Sequence, residues 1–214
     1  MSTAPVRTAW VRTAFQQFAR TREMTWLAAQ QQYRGKTATG FRALILSLSH
    51  YAADSVLEVH LGLRHELVES TAFRYTNGLS GFAPNSLTVV ASTAKLRGHP
   101  FDRYVLKTRA DAERAAGALL PWLENRADAF WNNYQTLAPL DAALNDSPEA
   151  PTLLMPNQSL RCLRGLVVAR YAQRPDWPTL IPVYRQRLED LYATEPIWHG
   201  YERLVDFLRT YTPN

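Results

Sequence analysis

Five histidines and a few acids are the first side chains in this chain to weigh for chemistry. They are His50, His60, His65, His99 and His199, with Asp54 and Glu58 close to two of them in sequence. A zinc site needs three or four ligands converging from a fixed scaffold. Glu58 and His60 lie two residues apart and so share one face of a strand, and Asp54 or His50 at the neighbouring strand end could join them. Asp54, Glu58 and His60 would then serve a metal-dependent hydrolase or nuclease. No HExxH or HxH accompanies them, and the commoner meaning of such a pattern is the exposed polar face of a half-buried strand. A carboxylate–lysine nuclease would add a lysine, yet only Lys36, Lys95 and Lys107 exist and none adjoins Glu58 in sequence. Ser47, Ser49, His50 and Asp54 are triad residue types without the strand-to-helix elbow that exposes a nucleophile. Cys162 sits between Leu160 and Leu163 in an apolar helical stripe, which describes a buried, inert thiol, although Arg161 and Arg164 flank it. Neither GxGxxG nor GxxxxGK occurs, so no phosphate loop is present. No catalytic residue, metal or cofactor is assigned.

Charge is the second source of information. Residues 1–108 hold 13 Lys and Arg against 6 Asp and Glu, a net +7, whereas residues 109–214 hold 11 against 13, a net −2. The excess is arginine near the N-terminus: Arg7, Arg12, Arg20, Arg22, Arg34 and Arg42. Such asymmetry marks an acidic partner or a solvated surface, and no block of five like charges decides for the first. Arg20, Arg22, Trp26, Tyr33, Arg34 and Lys36 come nearest to the basic–aromatic mixture that binds nucleic acid. With three lysines and 19 acids in the whole chain, a dedicated nucleic-acid protein is not expected. The most distinctive run is Glu58 to Glu69. A strand ending at Gly62 there delivers Arg64, His65, Glu66 and Glu69 to a loop or helix start, and the first three are candidate exposed binding residues.

The elements that must position these residues change character at Thr108. Val6 to Arg20 carries one helical stripe. Met24 to Tyr33 reads as a strand, Lys36 to Gly40 as a turn, and Phe41 to Tyr51 with Ser55 to Leu63 as an antiparallel hairpin. Arg64 to Thr76 reads as a short helix, Asn77-Gly78 and Ser80-Gly81 as punctuation, Ser86 to Leu96 as a strand, and Arg103 to Lys107 as its return. Thr108 and Asp111 form a capping box, after which a stripe runs from Ala112 to Tyr134 with Pro121 expected to kink or split it. Asp146 to Pro156 is a linker. Stripes at Leu160–Tyr171, Leu180–Leu191 and Trp198–Tyr211 follow, without a solenoid repeat.

Strands followed by helices predict an α+β fold. The expected architecture is a small antiparallel β-sheet with an N-terminal helix and a C-terminal helical half packed on one face, in a single domain over residues 1–214. An apolar fraction of 46% with a charged fraction of 20% is that of an ordinary folded protein. Disorder is excluded on that composition. Apolar runs such as Ala43 to Leu46 fall far short of the ~20 residues that span a bilayer. The Met1 to Trp10 segment lacks the apolar core of a signal peptide. One cysteine excludes an internal disulfide, and a cytoplasmic protein is expected.

The order of elements resembles that of uncharacterised bacterial α+β proteins found as immunity-like partners in toxin loci. The N-terminal helix, the Trp26 to Gln31 strand, the Phe41 to Leu63 hairpin, the Tyr104-Val105-Leu106-Lys107-Thr108 strand leading into a long helix, and a closing helix ending Leu204-Val205-Asp206-Phe207-Leu208 carry the resemblance. It implies no catalytic residues; it implies stoichiometric binding of another protein, of acidic character if the charge split is its counterpart. The expected function is therefore a non-enzymatic protein-binding module of the immunity-inhibitor kind.

Overall fold

Alternation and stripe resolve into eight α-helices and six β-strands in the computed structural model, which describes residues 3–76 and 80–212. The Asn77-Gly78 turn lies outside the described residues. The fold is mixed α+β, with an antiparallel sheet, a helix at the N-terminal end and a helical C-terminal half. The chain forms two compact units, and their boundary does not fall at Thr108. One comprises the stretch to Leu63 together with Ala91–Asn132; the other comprises Arg64–Val90 together with the stretch from Asn133.

In the first unit, α1 (Ala4–Arg20) has Pro5 in its first turn, where a missing N–H costs nothing. Its buried stripe of Val11, Phe15, Phe18 and Ala19 packs beside β3. The strands are β1 (Thr25–Leu27), β2 (Gln32–Thr37), β3 (Gly40–His50), β4 (Ser55–His65), β5 (Val89–Ser92) and β6 (Tyr104–Leu106). They run in the order β1-β2-β3-β4-β5, with β6 also paired to β4. Ser55, Leu57, Val59, Leu61 and Leu63 are buried along β4, while Val56, Glu58 and His60 stay partly exposed. The period-two pattern of a strand with one covered face therefore holds. Met24 to Tyr33 is not one strand. Ala28–Gln30 is a 3₁₀ turn and Gln31 takes φ 50°, so β1 folds back on β2 in the register Trp26↔Tyr33. Ser86 to Leu96 is likewise shorter than its Thr/Val content predicts. Ser92 accepts the Lys95 amide. As an N-cap it converts the second half into the helical turn α3 (Thr93–Leu96).

The helix α4 (Arg109–Tyr134) closes this unit. The Thr108 amide donates to Asp111 Oδ2 at 2.7 Å, and the Asp111 amide donates to Thr108 Oγ1 at 3.3 Å. The pair is a reciprocal cap. The hydrogen bonds from Lys107 and Thr108 hold the Asp111 carboxyl below the usual carboxylate range. Pro121 does not split the helix. The residue four positions before it is Gly117, with no side chain in the turn that must make room for the ring. Trp131 is wholly buried and its Nε1 donates to the Gly62 carbonyl at 3.0 Å, pinning α4 to β4.

The second unit is built round α6 (Gln158–Tyr171), buried without interruption from Arg161 to Ala169. It packs with α2 (Glu66–Ala72), α5 (Leu137–Asn145), α7 (Leu180–Asp190) and α8 (Glu195–Thr210). The α5 helix has no counterpart in the sequence reading, and it carries Pro139. A proline at the third helical position loses no intrahelical bond, because the first amides of a helix have no acceptor anyway. Arg161 then donates to the carbonyls of Leu144 at 2.6 and 3.0 Å and of Ser147 at 2.9 Å, satisfying the end of α5. Tyr184 Oη donates to Leu144 O at 3.0 Å, and burial pushes its phenol well above the ordinary value.

Candidate functional site

Arg64, His65 and Glu66 are not an exposed group. The strand β4 runs two residues beyond Leu63, so Arg64 and His65 are part of it and keep only 4% and 5% of their surface. Arg64 donates to Glu66 at 2.7 and 3.0 Å, to the carbonyls of Ala83 and Ser86 at 2.7 and 3.0 Å, and to Ser86 Oγ at 2.7 Å. A guanidinium with that many internal acceptors is a clamp on the 3₁₀ turn Ser80–Asn85 rather than a contact for a partner. The His65 amide donates to Thr88 Oγ1, its Nδ1 is buried with no hydrogen-bond partner among the described residues, and burial lowers its pKa against the opposing pull of Glu66. Glu66 alone stays exposed. Its hydrogen bond from Arg64 holds its carboxyl below the usual range.

Glu58 and His60 do share a face of β4, as their spacing predicts, but the face is already committed. Arg103 donates to Glu58 Oε1 at 2.5 Å, and His60 Nε2 stands 4.0 Å from Glu58 Oε2. Burial lowers the His60 pKa, Glu58 pulls it up, and Lys95 pushes it down again. Lys95, far from Glu58 in sequence, thus lies near enough in α3 for its charge to be felt at His60. Among the described residues, no group of three or more His, Cys, Asp or Glu side chains could hold a metal, so Asp54, Glu58 and His60 do not form a ligand set. His50 Nδ1 lies 2.7 Å from Ser55 Oγ, a serine–histidine pair the sequence reading missed. Ser55 is fully buried and also accepts from Arg7 Nε at 2.7 Å, so its hydroxyl cannot meet a substrate. Cys162 is buried in α6 and its thiol is pushed up to about 12 by burial. An inert structural cysteine has that character.

The charge split has a local form. Arg22, Glu23, Thr25, Arg34, Lys36 and Arg42 line one depression of about 320 Å³ at the β1 edge of the sheet. Pairing of β1 with β2 stops at Thr25↔Arg34, while β2 continues against β3 through Gly35↔Arg42 and Lys36↔Phe41. Arg34 and Lys36 leave one face of β2 and Arg42 leaves the opposite face of β3. Beyond Arg34 the outer edge of β2 lacks its β1 partner, and the two faces meet there in one hollow. The three arginines are held. Arg34 lies over the Phe41 ring at 3.7 Å, a cation–π contact. Arg22 donates to both oxygens of Asp128 at 3.2 and 3.0 Å. Arg42 donates to the Arg22 carbonyl at 2.8 Å, approaches Asp128 at 3.6 Å and lies 5.4 Å from the Trp131 ring. Gly35 leaves the space that Arg42 occupies, since a Cβ there would come within 3.1 Å of Arg42 Nε and of Met24 Cγ. Beside the hollow, the Trp26 and Tyr33 rings meet at a 60° tilt with centroids 5.0 Å apart, and burial pushes the Tyr33 phenol up to about 12 while its hydroxyl donates to the Arg12 carbonyl at 2.6 Å.

Of these residues, Arg22, Arg34 and Lys36 stand out in the sequence as a basic–aromatic run; Arg42 joins them only through the cross-strand register. The Lys36–Gly40 turn came close to supplying the signal: counting back from it pairs Gly35 with Phe41, one residue short of the observed Gly35↔Arg42. A second hollow of about 400 Å³ is lined by Arg103, Tyr104, Val105, Asp111, Arg114, Ala115 and Ala118. Its charges answer one another: Arg114 pairs with Asp111, which also caps α4, and Arg103 pairs with Glu58. No helix among the described residues is long and apolar enough to cross a membrane. Compared with protein-family models, curated proteins and solved structures, the chain matches none of them, so the basic depression has to be interpreted from its own geometry.

Proposed function

We propose that this chain is a non-enzymatic, cytoplasmic protein-binding module of the immunity-inhibitor kind, whose basic depression receives an acidic segment of a partner protein. The observation that carries the reading is the gathering of Arg22, Arg34, Lys36 and Arg42 round one hollow in which Glu23 is the single acidic lining residue. Four cations in one place steer an acidic partner and fix its register. The state of the reactive groups supports it: Glu58 is paired with Arg103, Ser55 is buried and Cys162 is inert. Arg64 and His65 contribute to the module's stability, and the contact surface moves from them to the sheet edge.

The test is a pull-down from native lysate with the wild-type chain and with the double variant Arg34→Glu/Lys36→Glu. A stoichiometric acidic protein is expected on the wild type, lost from the double variant, and released as salt rises through the range in which exposed charges are screened. Absence of a stoichiometric partner, or retention unaffected by charge reversal, overturns the reading. Metal analysis of the purified protein is the second arm. One zinc or manganese per chain would transfer the case to a metal-dependent hydrolase.

A further inference from the structure

The depression has a charge and a size as well as a sign. Arg22, Arg34, Lys36 and Arg42 supply four positive charges, and Glu23 with Asp128, the acid held by Arg22 and Arg42, removes two. The local balance is +2. A phosphate monoester carries about −1.5 to −2 at neutral pH and three acceptor oxygens, whereas a phosphodiester in a nucleic-acid backbone carries one negative charge. The volume of about 320 Å³ is enough for a phosphoryl group together with part of the molecule that carries it.

The donors also suit such a group. Arginine recognises phosphate through paired N–H donors in a fixed fork, and affinity rises when the fork is already in place. Stacking on Phe41 fixes Arg34, and the Arg22 carbonyl with Asp128 fixes Arg42. The Nε of Arg42 is buried with no hydrogen-bond partner among the described residues. Packed against Gly35 and Met24, it has no open surface, so Arg42 gives the depression its charge rather than that donor. Lys36 and Thr25 are exposed at the rim, where an ammonium and a hydroxyl can close over a bound oxygen.

We infer that the depression lined by Arg22, Thr25, Arg34, Lys36 and Arg42 is a binding site for a dianionic phosphoryl group. The inference rests on the depression being the binding surface, as in the proposed function, but not on the partner being a protein.

The experiment is calorimetric titration of the full chain in phosphate-free buffer at fixed ionic strength, with inorganic phosphate, O-phospho-L-serine and dimethyl phosphate as probes. Inorganic phosphate or O-phospho-L-serine is expected to bind saturably with a Kd of about 1 mM or below, and dimethyl phosphate at least about tenfold more weakly. Tighter binding of O-phospho-L-serine assigns the group to an ester, and the reverse order assigns it to free phosphate. Arg34→Gln and Lys36→Gln are each expected to weaken binding by roughly threefold to tenfold, while Arg209→Gln in α8 leaves it unchanged. Lys36 is exposed, so its variant reads the site even if Arg34→Gln fails to fold. No saturation by about 20 mM, equal binding of the diester, or indifference to Lys36→Gln overturns the inference. Phosphate binding without a captured protein removes the protein-partner reading and leaves this one standing; a captured protein without phosphate binding does the opposite.

Discussion

Glu69 has no exposed surface, and Arg164 grips both of its oxygens, Nε to Oε1 at 2.6 Å and Nη2 to Oε2 at 2.9 Å. Burial pushes this carboxyl up, but the charge and hydrogen bonds of Arg164, helped by Ser86 and Arg64, leave its pKa below the ordinary 4.5. A carboxylate with a depressed folded pKa contributes stability that is present above its unfolded pKa and is lost as pH falls through the folded value. Urea unfolding should therefore show the wild type losing stability below about pH 4.5 more steeply than Glu69→Gln. At neutral pH Glu69→Gln should cost about 3–5 kcal/mol, because it strands the Arg164 charge in the interior; the pair Glu69→Met/Arg164→Met should recover much of that. Sequence reading was least informative at this scale. A charge in a sequence reads as solvated, and nothing in Arg64, His65, Glu69 or Arg164 taken alone announces that its counterion lies up to 95 positions away. The depression shows the same difficulty in milder form: Arg34 and Lys36 are legible from their spacing, and Arg42 only from the register.

Elements were easier to read, and their failures have local causes. The β3–β4 hairpin, the Thr108 cap, the long α4 and the stripes of α6, α7 and α8 follow from periodicity and capping chemistry. The β1–β2 fold-back did not, because its turn rests on Gln31 at positive φ rather than on glycine or asparagine. The short α5 helix, two residues after α4, was not anticipated. One contact between elements is testable directly. A Cβ at Gly200 of α8 would lie 1.7 Å from the Tyr75 carbonyl oxygen, a backbone atom that cannot swing aside. Gly200→Ala should then displace α8 from the 3₁₀ turn Phe73–Tyr75. The expected destabilisation is about 1–3 kcal/mol or more, read as a lower urea midpoint. An unchanged midpoint would show that the helix slides without cost.

At the scale of the molecule, the change of pattern at Thr108 and the boundary of the compact units are different things. The α4 helix lies after Thr108 but belongs with the strands, whereas Arg64–Val90 lies before it and belongs with the C-terminal helices. Composition reports which elements form; it carries no record of which core each element completes. A fragment of residues 1–108 should accordingly show no cooperative thermal transition, since it lacks the buried Ala112, Leu119, Leu123, Ala127 and Trp131 of α4. A sharp melt of that fragment would mean the strands and α1 suffice without α4. The interleaving has an outcome during synthesis as well. The ribosome must release the residues through Asn132 before the first core has all its walls, so the apolar inner side of β4 waits through the translation of nearly seventy residues. The nascent chain is most exposed to wrong partners in that interval, and the helix carrying Trp131 ends it.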